Sequence, residues 1–284
     1  MKKHFLLLIC FIICFTLTAF EWPQENVTEN SFSYIFGQLR NGTFNTSLIF
    51  TEQAEIKASE KGTVLALLGS TSGEMGWFES PLGNAVILAH NDELLSVYAN
   101  LESLNIDKTT NYVHAGTKLG TSGSSGWQHG QSSLEFQVID TQKDTVINPR
   151  LLMPRMKTET PLYLHGITAV NRKGEVFDLR TRRNLPAGTY LIYRSTEQSP
   201  MTYSTTISVN GAAVETITFD MLTRTENKLT VSGKRLYDVN EIYPNSKKQL
   251  LAEITLSQGR NTLNITSSSI NGTETSLTYI LDIR

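Results

Sequence analysis

Gly83-Asn84-Ala85-Val86-Ile87-Leu88-Ala89-His90-Asn91-Asp92-Glu93-Leu94-Leu95-Ser96-Val97-Tyr98-Ala99-Asn100-Leu101 is the stretch on which the fold turns. Apolar and β-branched residues fill 84–90 and 95–100, and the polar Asn91-Asp92-Glu93 separates them. That pattern predicts two short strands joined by a turn. Val86 and Leu88, two apart, place apolar side chains on one face of the first strand. Outward from here, 62–68 and 133–140 carry the same signal, with Leu134, Phe136 and Val138 alternating in the latter. Between them lie Gly116, Gly120, Gly123 and Gly126, where tight turns between strands are expected to need positive φ. Pro149 and Pro154 punctuate the end of this region. A domain boundary is expected near 156–159.

Past that boundary the β signal continues in another style. Strand candidates are 188–194, 205–209, 213–219, 228–231, 252–256, 262–266 and 276–283. Asn210-Gly211 between two alternating runs predicts a tight hairpin. About seven short strands in roughly 125 residues resemble an immunoglobulin or fibronectin sandwich at the level of pattern.

The first residues read as an export signal: Lys2 and Lys3, an apolar run over 5–15, then Thr16-Leu17-Thr18-Ala19. The run is short for a membrane span, which needs about 20 apolar residues. Lipidation at Cys14 is disfavoured by the large Ile13 before it. Both cysteines, Cys10 and Cys14, lie in this segment. A mature chain without cysteine has no disulfide framework, so its stability rests on its core. The five Asn-x-Ser/Thr triplets, at Asn26, Asn41, Asn45, Asn264 and Asn271, are read as coincidence in an exported bacterial chain. Cleavage after Ala19 leaves 265 residues and takes the formal charge from −2 to −4. That balance argues against nucleic acid as a partner.

Four pieces of sequence, in order, carry a resemblance to a known family. They are Glu60-Lys61-Gly62-Thr63-Val64, the stretch quoted at the outset, Val113-His114-Ala115-Gly116-Thr117-Lys118-Leu119-Gly120-Thr121-Ser122-Gly123-Ser124-Ser125-Gly126, and Ser133-Leu134-Glu135-Phe136-Gln137-Val138. Together they resemble the LytM, or M23, metallopeptidases, whose active members cut peptidoglycan peptides. The likeness covers about residues 32–156. It implies an all-β chain: a signal peptide (1–19), an irregular lead-in (20–31), a LytM-like antiparallel β-sheet domain (32–156), then the β-sandwich (157–284).

The resemblance also implies a chemistry that this sequence lacks. Active relatives hold zinc with the His and Asp of His-x-x-x-Asp and the second His of His-x-His. Two further histidines, from Tyr-x-His-Leu and the first position of His-x-His, assist. A catalytic zinc needs three protein ligands and an open position for water, whose pKa the metal lowers. Carried over, the ligand positions fall on Asn45, Ile49 and Glu135, and the assisting positions on Asn100 and Ser133. No His, Asp or Glu occurs anywhere in 32–51, so a one-residue slip rescues nothing. The expectation is a non-catalytic member without zinc.

Other residues carry weaker expectations. His90 matches a family histidine outside the metal shell and is read as a hydrogen-bonded strand-end residue. Asn100 and Glu135 are expected to face the former cleft, as a space-filling polar pair or as part of a peptide groove with Trp127, His129 and Ser133. His114 and His129 with Glu135 form a remote alternative metal set. Arg172, Lys173, Arg180, Arg182 and Arg183 are read as a solvated basic edge, or as a surface for anionic envelope polymer or lipid headgroups. The leading expectation is an envelope module that binds peptidoglycan peptides or recruits and regulates a cell-wall hydrolase. Its competitors are an active zinc endopeptidase with an atypical site and a structural or adhesive protein acting through the sandwich.

Overall fold

The strand Asn84–Ala89 pairs antiparallel with Leu94–Leu104. Asn91-Asp92-Glu93 forms the predicted turn, a single 3-10 turn in which Asp92 and Glu93 take φ of 62° and 59°. The computed structural model describes residues 20–69, 80–126, 133–156, 160–197 and 200–284. Within these, Gly62–Leu68 pairs with Asn84–Ala89, and Glu135–Asp140 pairs with the other edge of Leu94–Leu104 in the register Glu135↔Ala99 to Asp140↔Leu94. Leu48–Phe50 and Lys118–Ser122 continue the sheet. Alternate residues of Glu135–Asp140 are buried, as the period of two predicts. Leu48, Val86, Leu88, Tyr98, Leu134, Phe136 and Val138 form one core.

Residues 20–31 hold one 3-10 turn, Glu29–Ser31, and are tied down. Phe20 is buried in this core, and Trp22 donates to Pro154 O at 3.1 Å. Lys57 N–H donates to Pro23 O.

The glycine expectation holds at one position of four. Gly116 has φ of +77°. Gly120 instead lies within the Lys118–Ser122 strand, where a Cβ would stand 2.0 Å from Ser103 O. It is required by close approach of two strands, not by a turn. Gly123 and Gly126 likewise have no positive φ and face Glu102 and Leu82 closely.

The second region packs two antiparallel layers. One comprises Thr168–Asn171, Val176–Asp178, Gly188–Ser195 and Lys248–Leu256. The other is built on Ser204–Val209, Ala212–Thr225, Gly259–Ser268 and Glu274–Ile283. Ala169, Tyr190, Ile192 and Ile254 meet Ile207, Leu263, Ile265 and Leu281 between them. Asn210 and Gly211 both take positive φ, 52° and 84°, as a hairpin turn that matches the strand twist demands.

The two regions are joined by hydrogen-bonded sheet. Thr145–Ile147 pairs with Ala212–Thr225 in the register Val146↔Leu222. Asn148 then donates its side-chain amide to Phe219 O at 2.9 Å.

Candidate functional site

The hairpin Leu39–Arg40/Thr43–Phe44 builds one wall of the site. Asn41 and Gly42 turn it with φ of 51° and 79°, the pair of positive angles a two-residue hairpin needs. Its apolar side does not join the core of its own domain. Phe36 and Phe44 are buried among Phe219, Tyr243, Ile217 and Leu250 of the sandwich. Tyr243 donates to Gly37 O at 2.9 Å. Gly37 has φ of +83°, and a Cβ there would meet the Phe219 ring at 2.5 Å. The sandwich therefore holds the hairpin whose polar side presents Arg40 to the sheet.

On that side Arg40 Nη1 lies 3.1 Å from Glu135 Oε1 and 3.5 Å from Asn45 Oδ1. Ser47 Oγ donates to Glu135 Oε1 at 2.7 Å and to Asn45 Oδ1 at 3.2 Å. The amide of Asn45 donates to Ile35 O at 2.9 Å and Ser47 O at 2.7 Å. Asn45 and Ser47 are buried, while the Arg40 and Glu135 side chains each keep 18% exposure. Ile49 stands opposite Glu135 in the ladder and is buried. Asn45 and Glu135 are thus linked through Arg40 and Ser47, with Ile49 beside Glu135 in the ladder.

They do not make a zinc donor set. Ile49 has no lone pair. The Asn45 nitrogen donates to two carbonyls, and the Glu135 carboxylate faces a guanidinium, whose charge repels a cation. Among the described residues no group of three or more His, Cys, Asp or Glu is placed to hold a metal ion.

Asn100 belongs to a second group of contacts. Its φ is +64°, a left-handed conformation that Asn tolerates better than most residues. Its side chain donates to Gly123 O at 2.6 Å and Ser133 O at 2.7 Å, and accepts from Gly126 N–H at 2.7 Å. It is fully buried. Ser133 is buried too, and its hydroxyl meets no partner among the described residues. Asn100 thus ties main-chain segments together, and the two groups are built differently: side chain to side chain around Glu135, side chain to backbone around Asn100. Trp127 and His129 lie outside the described residues. His114 is exposed and stacks edge-on against Tyr112.

His90 sits at a third polar chain, on the other half of Leu94–Leu104. Its Nδ1 lies 2.8 Å from Lys61 O and its Nε2 2.7 Å from Ser96 Oγ. A carbonyl only accepts, so Nδ1 carries the proton. Ser96 is 3.2 Å from Tyr98 Oη, which also accepts from Ser59 N–H at 2.8 Å. Burial pushes the His90 pKa below its ordinary value, against the raising effect of the Lys61 carbonyl. Burial likewise raises Tyr98.

Arg40 and Ser47 were not singled out from the sequence. The signal for Arg40 was the Asn41-Gly42 dipeptide, which folds it back beside 43–45. Ser47 stands two residues beyond Asn45, in the connection between Thr43–Phe44 and Leu48–Phe50.

Comparison with known proteins places these geometries in context. The profile described as Peptidase family M23 matches residues 46–149, and a second profile matches 161–284. The chain is 35% identical over 123 residues to an uncharacterized protein of Treponema pallidum, covering 39% of this chain and 80% of that one. It is 27% identical over 140 residues to the murein hydrolase activator NlpD of Salmonella dublin, covering 49% of this chain and 32% of that protein. It is 30% identical over 142 residues to the cell division protein DipM of Caulobacter vibrioides, covering 48% and 21%. The chain thus spans about a third of the length of NlpD.

Proposed function

The chain belongs to the M23 peptidase family, and on that premise we propose that it is a non-catalytic, zinc-free member that regulates a murein hydrolase in the cell envelope. One observation carries the reading. Where active members of the family hold a metal, this chain holds the Arg40 guanidinium between Asn45 Oδ1 and Glu135 Oε1. A guanidinium supplies fixed positive charge but no open coordination position, and it lowers no water pKa. The replacement of both assisting histidines, by the backbone-bound Asn100 and the buried Ser133, supports the same conclusion. The likeness to a protein named as a murein hydrolase activator supports regulation as the role that outlives the chemistry.

The chain acts outside the cytoplasm, with residues 1–19 as its export signal. Among the described residues no helix is long and apolar enough to cross a membrane. Its partners are peptidoglycan or an envelope hydrolase, and nucleic acid is not among them. The groove that binds them runs beside Glu135, whose side chain keeps partial exposure, while Asn100 and Ser133 are buried behind it.

Purified full-length protein tests this with two readouts. Metal analysis is expected to find zinc far below one per chain, and the protein alone is expected to leave purified murein intact. Added to a murein hydrolase from the same cell, it is expected to raise or restrain that enzyme's rate. About one zinc per chain, with chelator-sensitive murein cleavage, would overturn the proposal. Unchanged hydrolase rates across a panel of envelope hydrolases would overturn the regulatory half.

A further inference from the structure

The sequence marks a basic cluster in the sandwich, and the structure gives part of it a shape. Thr181, Arg182, Arg183, Asn184, Pro186 and Arg284 line an open cleft of about 440 Å³. Its backbone is set by regular bonds. Asp178 Oδ1 accepts from Arg180 N–H, and Asp178 O from the N–H groups of Thr181 and Arg182. Asn184–Leu185 then pairs parallel with the end of Glu274–Ile283, and Arg183 O accepts from Asp282 N–H.

The guanidinium groups are also held. Arg182 lies over the Phe177 ring and Arg183 over the Tyr279 ring, each 4.5 Å from the centroid. Stacking against an aromatic face fixes the plane of a guanidinium and leaves its N–H edges free for an oxyanion. Arg183 Nη1 is shielded from solvent and meets no acceptor among the described residues. Neither Arg182, Arg183 nor Arg284 is in an ion pair among the described residues. Two carboxylates are nearby. Asp178 is engaged with its own turn, and Asp282 stands opposite Arg260 across its ladder. The main-chain oxygen of Arg284 accepts from Ala187 N–H.

We propose that this cleft is a binding site for a phosphate group. Arg182 and Arg183 bring two stacked guanidinium groups to one cleft, and Arg284 is also in its lining. A phosphate offers three or four oxygens, which match paired N–H edges from two arginines at once. The Thr181 hydroxyl and Asn184 amide in the same lining supply donors for a remaining oxygen. The site lies in the sandwich and does not involve Asn45, Glu135 or Asn100, so it is independent of the function proposed above.

The test uses the full-length protein titrated with inorganic phosphate and with glycerol 3-phosphate by calorimetry. Millimolar or tighter binding is expected. Arg182→Gln/Arg183→Gln is expected to weaken it by about tenfold or more. Arg182→Lys/Arg183→Lys keeps charge and stems, so it guards against misfolding, and is still expected to lose affinity because the fork is gone. Arg172→Gln/Lys173→Gln removes equal charge elsewhere and is expected to bind as the native protein does. Co-sedimentation with phosphatidylglycerol vesicles, against phosphatidylcholine, separates sources. Arginine-dependent pelleting assigns a lipid headgroup, and solution binding without pelleting assigns a free or polymer-borne glycerophosphate. No phosphate binding by the native protein, or equal loss in the Arg172→Gln/Lys173→Gln control, overturns the proposal.

Discussion

Asn100 and Glu135 are near neighbours in the sheet, for Glu135 faces Ala99 across the ladder, yet they are held in opposite ways. Asn100 is fully buried, left-handed in backbone, and bonded through its side chain to the main chain of Gly123, Gly126 and Ser133. Glu135 is partly exposed and bonded to the side chains of Arg40 and Ser47. The first arrangement fixes where chain segments run. The second is an ion pair on a finished scaffold. Two neighbouring polar positions thus do different physical jobs: one ties main-chain segments together, the other holds a partly exposed ion pair.

The largest expected effect breaks the Asn100 side. Asn100→Ala leaves Ser133 O and Gly126 N–H without their side-chain partner, takes one of two donors from Gly123 O, and puts at φ of +64° a residue that tolerates it less well than Asn. A loss of about 3 kcal/mol is expected, mostly from the unmet buried groups, with a smaller part from the left-handed backbone. Asn100→Gly separates the two, since glycine tolerates that φ. It is expected to recover about 1 kcal/mol of the loss. Urea denaturation of the three proteins reads both numbers. Equal stability of all three would show that Asn100 is not the tie described here.

On the Glu135 side the effect is smaller and depends on its partner. A double-mutant cycle of Arg40→Ala and Glu135→Ala is expected to give a coupling of about 1–2 kcal/mol that shrinks with added salt. Each side chain is mostly shielded, at 18% exposure, so the pair should exceed the value of about 0–1 kcal/mol for a surface bridge. A coupling near zero would reduce the contact to a surface pair and remove the argument that Arg40 stands in for a metal.

How much of this was legible beforehand follows the same division. The strands, the turn at 91–93 and the Asn210-Gly211 hairpin are local, and period and turn chemistry predicted them. That Ile49 has no lone pair to offer was also legible, because residue type alone decides it. Arg40 was not, since its role depends on which strand the hairpin folds against. Nor was the packing of Phe36 and Phe44 on Phe219 and Tyr243, which joins residues some 180 positions apart. Alternation says that such a side chain is buried but not against what. The glycines failed for a related reason: Gly120 is required by Ser103 O of a neighbouring strand, and a one-dimensional pattern does not contain that approach.

His90 offers the smallest and most specific test, because it joins closure, as at Asn100, to a titratable group. Burial holds its pKa below the ordinary 6.5, so the folded chain binds a proton less readily than the unfolded chain does. Between the lowered folded value and about pH 6.5 the unfolded state therefore carries more protons, and stability rises with pH across that window. The neutral ring fits its two contacts: Nδ1–H donates to Lys61 O, and Nε2 accepts from the Ser96 hydroxyl. Protonating Nε2 reverses the bond to Ser96 and puts a charge in a shielded site. The denaturation midpoint is expected to be flat above about pH 7 and to fall as pH drops below about 6.5. His90→Asn, which keeps a donor near Lys61 O but does not titrate, is expected to lose that component of the slope while being less stable throughout. An unchanged slope in His90→Asn would assign the acid sensitivity to carboxylates elsewhere and leave His90 a packing residue only.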